Sequence, residues 1–219
     1  MRKIIVVLSA SVLALAARGN TIVFSDFGPG DTYSQNFAAG GPATSPLTEI
    51  AAQFTAGASG NLATVDLGLT YVTQGPANVF LYGDASDLPD NADQTLLGSI
   101  TPTAVFGTTN NSLVSLSVSS TVLVTMGKRY WLVLKPAAMD EEDAWNLGAG
   151  AGLVAVSSDD MTWSTSGVVF LPAFRVTASG AARMPDSGGT FLLMFGSVVV
   201  LLALQRMFRR PVTQMHAFP

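Results

Sequence analysis

Four aspartates recur every third residue in one stretch: Asp84, Asp87, Asp90 and Asp93, with Leu88-Pro89 and Asn91 between them. Clustered carboxylates and amides suit a hard cation such as calcium, which gathers about six to eight oxygen ligands. The spacing does not match the EF-hand loop, which takes ligands at alternate positions around a glycine turn. The competing reading is that Asp and Asn cap turns through neighbouring backbone amides. Calcium at Asp84, Asp87, Asp90 and Asp93 is therefore one expectation and a run of turns is the other. Asp140-Glu141-Glu142-Asp143 is a second acidic run. Its like charges repel, so it reads as a solvated loop unless a metal or a basic partner relieves it.

Aromatic side chains offer a different chemistry. Tyr130 and Trp131 are adjacent, and Trp145 and Trp163 stand near loop-like sequence. Exposed rings in a β-sandwich stack on sugar rings, so these four are candidate glycan contacts. The same rings fill cores, because each buries about 150–250 Å². Neighbouring strand residues point to opposite faces, so Tyr130 and Trp131 cannot both be core unless both faces of their sheet are covered.

Catalysis finds few residues to use. The chain has no cysteine, and its single histidine, His216, lies near the C-terminus. Between Arg18 and Arg183 there is neither, so Ser–His and Cys–His nucleophiles have no base there and zinc lacks its usual ligands. A two-carboxylate glycosidase stays formally open. The expectation is a protein that is not an enzyme and carries no cofactor, apart from the calcium noted above.

The elements that must position these residues are strands. Val65, Leu67, Leu69 and Tyr71 alternate with Thr64, Asp66, Gly68 and Thr70. Val114, Leu116 and Val118 alternate with serines. Period two with Val, Thr and Ser marks half-buried strands. Further strands are expected at 21–24, 49–54, 79–82, 122–125, 130–134, 153–156 and 173–177. Gly28-Pro29-Gly30, Gly75-Pro76, Asn110-Asn111 and Met126-Gly127 separate them. No window of the body has a capped helical period. Short strands without intervening helices imply an all-β, antiparallel β-sandwich, jelly-roll-like, over residues 18–176. About 165 residues suffice for one domain with a core.

The two ends read differently. Arg2 and Lys3 precede an apolar run from Ile4 to Leu13, and Ala14-Leu15-Ala16 ends it. This pattern is a secretory signal peptide over residues 1–17, with the Sec translocon and signal peptidase as its partners. Residues 177–187 read as a tether. Residues 188–205 form an apolar run without charge, slightly short of the roughly 20 residues that cross a bilayer, with Arg206 placed to snorkel. Arg206, Arg209 and Arg210 make a basic stop in a cytoplasmic tail over 206–219, in keeping with positive-inside topology. One C-terminal transmembrane helix embedded in membrane lipid is the expectation.

Met184-Pro185-Asp186-Ser187-Gly188, then the apolar run, then Arg209-Arg210, resembles the VPDSG-CTERM sorting tail of the PEP-CTERM group. Met184 stands where that family has Val. The resemblance implies an exosortase-type transpeptidase as partner, cutting near the proline motif and passing the body to the cell surface or exopolysaccharide. A second resemblance covers roughly residues 24–176. It rests on Val79-Phe80-Leu81-Tyr82 with Asp84, on Gly127-Lys128-Arg129-Tyr130-Trp131, and on Trp145-Asn146 after an acidic loop. These are similar to the choice-of-anchor R domain, which implies a β-sandwich body and assigns no activity.

Charge sets the last bound. From Arg18 to Arg183 there are six basic and fourteen acidic residues, a balance near −8. That excludes nucleic acid as a partner and suits a solvated surface. The sequence thus leads to an exported protein, held in the inner membrane by its C-terminal helix and then sorted to the surface or matrix, without a catalytic role. The alternative is a carbohydrate-binding module for envelope or exopolysaccharide glycans.

Overall fold

The computed structural model describes residues 19–40, 48–108, 110–138, 141–159 and 161–182, with the side chains of 35–40 and 181–182 excepted. The signal segment, the Met184–Gly188 motif, the apolar run and Arg206, Arg209 and Arg210 lie outside the described residues, as do Asp140 and Asp160. Among the described residues there is no helix, and so none long and apolar enough to cross a membrane.

Thirteen strands lie among the described residues. They are β1 (Thr21–Ser25), β2 (Ser34–Gly40), β3 (Glu49–Thr55), β4 (Ser59–Leu67), β5 (Leu69–Thr73), β6 (Ala77–Asp84) and β7 (Pro89–Ile100). Then come β8 (Val114–Ser117), β9 (Leu123–Val124), β10 (Arg129–Pro136), β11 (Glu142–Ser157), β12 (Ser164–Pro172) and β13 (Phe174–Ala182). A five-stranded sheet runs β1-β13-β4-β8, with β9 on β4. An eight-stranded sheet runs β12-β11-β3-β10-β6-β7, with β2 and β5 both on β11. Every ladder is antiparallel.

The sheets share one apolar core, the arrangement of a β-sandwich. Ile50, Phe54, Leu81, Leu132, Leu134 and Trp145 come from the large sheet. Val23, Leu62, Val65, Leu67, Phe174 and Val176 come from the small one. Phe54 and Phe174 meet across the gap edge to face, with ring centroids 5.8 Å apart. At roughly 25 cal/mol per Å² of apolar surface removed from water, this burial is the main force closing the sandwich.

The outer face of the large sheet is also covered. Ala51, Tyr82, Trp131, Val133, Ala155 and Trp163 form a second buried cluster there. Alternation along β10 explains it. Tyr130, Leu132 and Leu134 enter the inner core, while Trp131 and Val133 enter the outer cluster. The loop between β11 and β12 lays Trp163 over this face. Its Nε1 donates to Asn91 Oδ1 at 2.8 Å, and Asn91 Nδ2 donates to Met161 O at 2.8 Å.

Three boundaries differ from the alternation pattern. The run from Leu62 to Tyr71 is two strands, because the chain leaves the small sheet at Gly68 and enters the large one. A Cβ on Gly68 would stand 2.8 Å from Tyr33 Cδ1, so glycine permits the close approach. Strand β13 continues to Ala182, pairing Thr177 with Thr64 and Ser179 with Asn61, where a tether was expected. Strands β2, β7 and β12 have no counterpart in the alternation. Their polar or glycine-containing sequences are strands because neighbours supply the ladder.

Candidate functional site

The four aspartates of the 84–93 stretch take four different positions. Strands β6 and β7 form a hairpin whose turn residues, Ser86 and Asp87, both adopt left-handed φ, 55° and 63°. Two such residues make a type I′ turn, which matches strand twist, and Asp tolerates that region better than most side chains. Asp84 closes the hairpin, opposite Pro89. Its Oδ1 accepts from Gln53 Nε2 at 2.7 Å and Trp131 Nε1 at 2.8 Å, and Arg129 Nη2 pairs with its Oδ2 at 2.8 Å. Arg129 also pairs with Asp87.

Asp90 and Asp93 lie in β7, not in a loop. Gly83 pairs with Asp90 and Tyr82 with Gln94, so Asn91, Ala92 and Asp93 bulge from the ladder. Asp90 Oδ1 accepts from Ala92 N at 2.9 Å and caps the bulge. Asp93 is thrown across Gly83, where any Cβ would collide with its carboxylate. Among the described residues no group of three or more acidic or histidine side chains is arranged to hold a metal ion. Asp84 and Asp87 meet a guanidinium instead.

The bulge walls an open groove of about 620 Å³ at the edge where the two sheets meet. Tyr82, Asp84, Asp93, Thr95, Arg129 and Tyr130 line it from the large sheet. Thr121, Leu123, Thr125 and Lys128 line it from the segment around β9. The Arg129–Asp84 pair fixes the floor. Asp93, Lys128 and the hydroxyls of Thr95, Thr121 and Thr125 make no side-chain hydrogen bond or ion pair with the described residues. A carboxylate acceptor, an ammonium donor and hydroxyls that do both thus face one solvent-open groove.

All four rings weighed as glycan contacts or as core, Tyr130, Trp131, Trp145 and Trp163, are buried, so none is an exposed stacking platform. Trp131 and Trp145 have no exposed surface, and Tyr130 and Trp163 are below a tenth. Trp145 packs on Phe174 at 5.8 Å and donates to Ala173 O at 3.0 Å. Trp131 lies under the outer cluster and Trp163 packs edge-on to Tyr82 at 5.9 Å. Tyr130 shows only its rim to the groove, where its hydroxyl accepts from Thr125 N at 3.0 Å. Both faces of the large sheet are covered at β10, so Tyr130 and Trp131 are core together.

The second acidic run is not wholly solvated either. Glu141 accepts from Ala138 N at 2.9 Å and caps its turn. Glu142 and Asp143 already belong to β11, and Asp143 is fully buried with neither oxygen hydrogen-bonded. Burial, with Glu141 adding its charge, pushes the Asp143 carboxyl up to about 7. Asp26 behaves alike. Its Oδ1 accepts from Phe174 N at 2.8 Å, its Oδ2 is unpartnered, and burial raises it to about 7. Asp159, by contrast, is exposed and held near 2 by backbone N–H groups of Thr162 and Met161.

Sequence reasoning missed Lys128, Thr95, Thr121 and Thr125. The signal available was Lys128-Arg129, the one pair of adjacent cations between Arg18 and Arg183.

No family model matches the chain, and no curated protein matches it. Among solved structures, a match is the cysteine protease and lectin-like domains of Cwp84, a surface layer associated protein of Clostridium difficile. The TM-score is 0.43 at 15% identity, over 61% of this chain and 32% of that chain. This chain spans about a third of that protein's length.

Proposed function

We propose that this chain is an exported, non-catalytic surface or matrix protein whose body binds a carbohydrate in the groove between Asp93 and Lys128. The observation that carries the glycan reading is the groove itself. Beside the Arg129–Asp84 pair, the side-chain polar groups of Asp93, Lys128, Thr95, Thr121 and Thr125 are of both hydrogen-bonding senses and have no side-chain partner among the described residues. Sugar hydroxyls need donors and acceptors side by side. Recognition then runs through hydrogen bonds, since the tryptophans are enclosed. Absence of histidine and cysteine from the body supports a binding role over catalysis.

Export and anchoring rest on the sequence of the two ends. The signal segment, the Met184–Gly188 motif and the basic stop support delivery by Sec, retention by the apolar run and processing by an exosortase-type enzyme. Deleting residues 188–210 is expected to release the body to the medium, and cell retention of that variant would remove the anchor.

The groove is tested by glycan-array and calorimetric binding with the purified protein and its Asp93→Ala and Lys128→Ala variants. Binding to a polysaccharide that weakens in both variants, at unchanged melting temperature, is expected. Equal binding by all three proteins would place the ligand elsewhere, and no binding to any envelope glycan would remove the carbohydrate reading.

A further inference from the structure

Among the described residues strand β12 ends the eight-stranded sheet and has one partner, β11. Its residues from Ser164 to Phe170 are all exposed, and Val168, Val169 and Phe170 show 74%, 39% and 61% of their surface to solvent. Successive residues alternate between faces, so this strand presents apolar side chains on both. Gly167, at φ 79°, sits in the bulge that offsets β12 against β11. From Val168 to Phe170 the pairing with β11 runs regularly, and a second register shift follows before Pro172.

Such an edge offers unpaired backbone donors and acceptors to any incoming strand. Proteins that stay monomeric blunt it with Lys, other charges, proline, a bulge or a cover. In this strand the Gly167 bulge leaves Val168 to Phe170 in regular register. Here Ser164 to Pro172 holds no charge, and neither does β11 opposite it from Gly148 to Ser157. The only proline, Pro172, closes the end of the strand.

We infer that β12 is a self-association edge, and that its occupant is β12 of a second copy of this chain, paired antiparallel about a two-fold axis. Charge selects the partner. The body carries a balance near −8, so two copies repel over most of their surfaces. A neutral strip is where they can meet, and a neutral apolar strand is what it pairs with best. A cationic partner would find no carboxylate on β12 to hold it. The two-fold makes the contact self-complementary. With the axis at Val169, Phe170 stands opposite Val168 of the other copy on one face, an aromatic–β-branched pair that stabilises antiparallel ladders. Val169 meets its own equivalent on the other face. The large sheet then continues unbroken from one copy into the next. This pairing is independent of whether the groove binds a glycan.

The chain has no cysteine, so a single introduced thiol reports the register directly. Residues opposite each other in antiparallel strands have Cα atoms about 4.5–5.5 Å apart, within the roughly 4.4–6.8 Å that a disulfide spans. In the full-length protein in mild detergent, Val169→Cys is expected to form a disulfide-linked dimer roughly tenfold faster than the exposed control Met126→Cys, because pairing raises the local thiol concentration. Adding Phe170→Lys to Val169→Cys should abolish that advantage while leaving the melting temperature unchanged. Light scattering of the cysteine-free protein should give a dimer, and Phe170→Lys a monomer. Crosslinking of Val169→Cys no faster than Met126→Cys, with a monomer by scattering, would overturn the inference. If Phe170→Lys unfolds the body, Val168→Lys serves instead, since its side chain is more exposed still.

Discussion

Asn146 Nδ2 donates to the carbonyl of Gly68 at 2.9 Å, at the point where the chain passes from one sheet to the other. The same amide group reaches Thr70 Oγ1 at 3.1 Å, and Asn146 N donates to Gly68 O at 2.9 Å. Gly68 N in turn donates to Ala173 O at 2.9 Å, and Ala173 N to Asn146 O at 2.6 Å. Ala173 is the residue at which β12 gives way to β13 and changes sheets. One buried amide thus ties together two crossings, 4-to-5 and 12-to-13, that hold the sandwich shut at this corner.

Asn146→Ala should therefore cost about 2–4 kcal/mol, since it removes the side-chain donor to Gly68 O and Thr70 Oγ1, leaving Gly68 O its backbone bond from Asn146 N, and opens a void. Chemical denaturation of wild type and variant measures this. A loss under about 0.5 kcal/mol, the size of an ordinary surface substitution, would show that the corner is held by backbone bonds alone.

Asp26 and Asp143 give the body a pH dependence. Each has a folded-state value near 7, above the ordinary 3.8, because burial disfavours its charge. Between about pH 4 and 7 the folded protein binds more protons than the unfolded chain, so stability falls as pH rises and levels off above 7. Asp143→Asn and Asp26→Asn should each raise the melting temperature at pH 8 by about 4–8 °C, taking roughly 2 kcal/mol apiece, and have little effect at pH 4. Melting curves at the two pH values decide it, and a variant that lowers stability equally at both would refute the burial argument.

Arg129 neutralises Asp84, whose side chain is nearly enclosed, while its own is half exposed. Arg129→Ala leaves that carboxylate with only Gln53 and Trp131 as donors and should cost about 1–3 kcal/mol. Arg129→Lys should restore only part, because a single ammonium cannot replace a guanidinium shared by Asp84 and Asp87. If alanine and lysine variants unfold at the same denaturant concentration as wild type, the pair is not structural.

Trp163 packs edge-on to Tyr82 in the outer cluster that also holds Trp131. Trp163→Ala should open that cluster, so that acrylamide quenches Trp131 while the inner core stays intact. Quenching is read in a Trp145→Phe background, which leaves Trp131 as the reporter. Unchanged quenching would mean that the β11–β12 loop does not cover the ring.

Much of the body was legible from residue order. Alternation at Thr64–Tyr71 and Val114–Val118 gave strands, because a side-chain period of two has no other cause in a folded chain. Missing histidine and cysteine bounded the chemistry before any coordinates. What stayed hidden depends on which surfaces meet. Strand β7 reads as an acidic loop, since its pairing is imposed by β6 across a type I′ turn. Trp131 and Trp145 could each be platform or core; Trp145 faces the core between the sheets, and Trp131 is core because the outer face of the large sheet is covered there.

By itself, then, the sequence determined an acidic, strand-built body between two apolar ends, because composition and period act residue by residue. Tertiary structure decided the rest. It set Arg129 against Asp84 and Asp87, aimed Asp93 across Gly83 at a groove shared with Lys128, and left β12 with one edge unpaired among the described residues. Those are relations between residues far apart in the chain, fixed by register and packing, and no local pattern carries them.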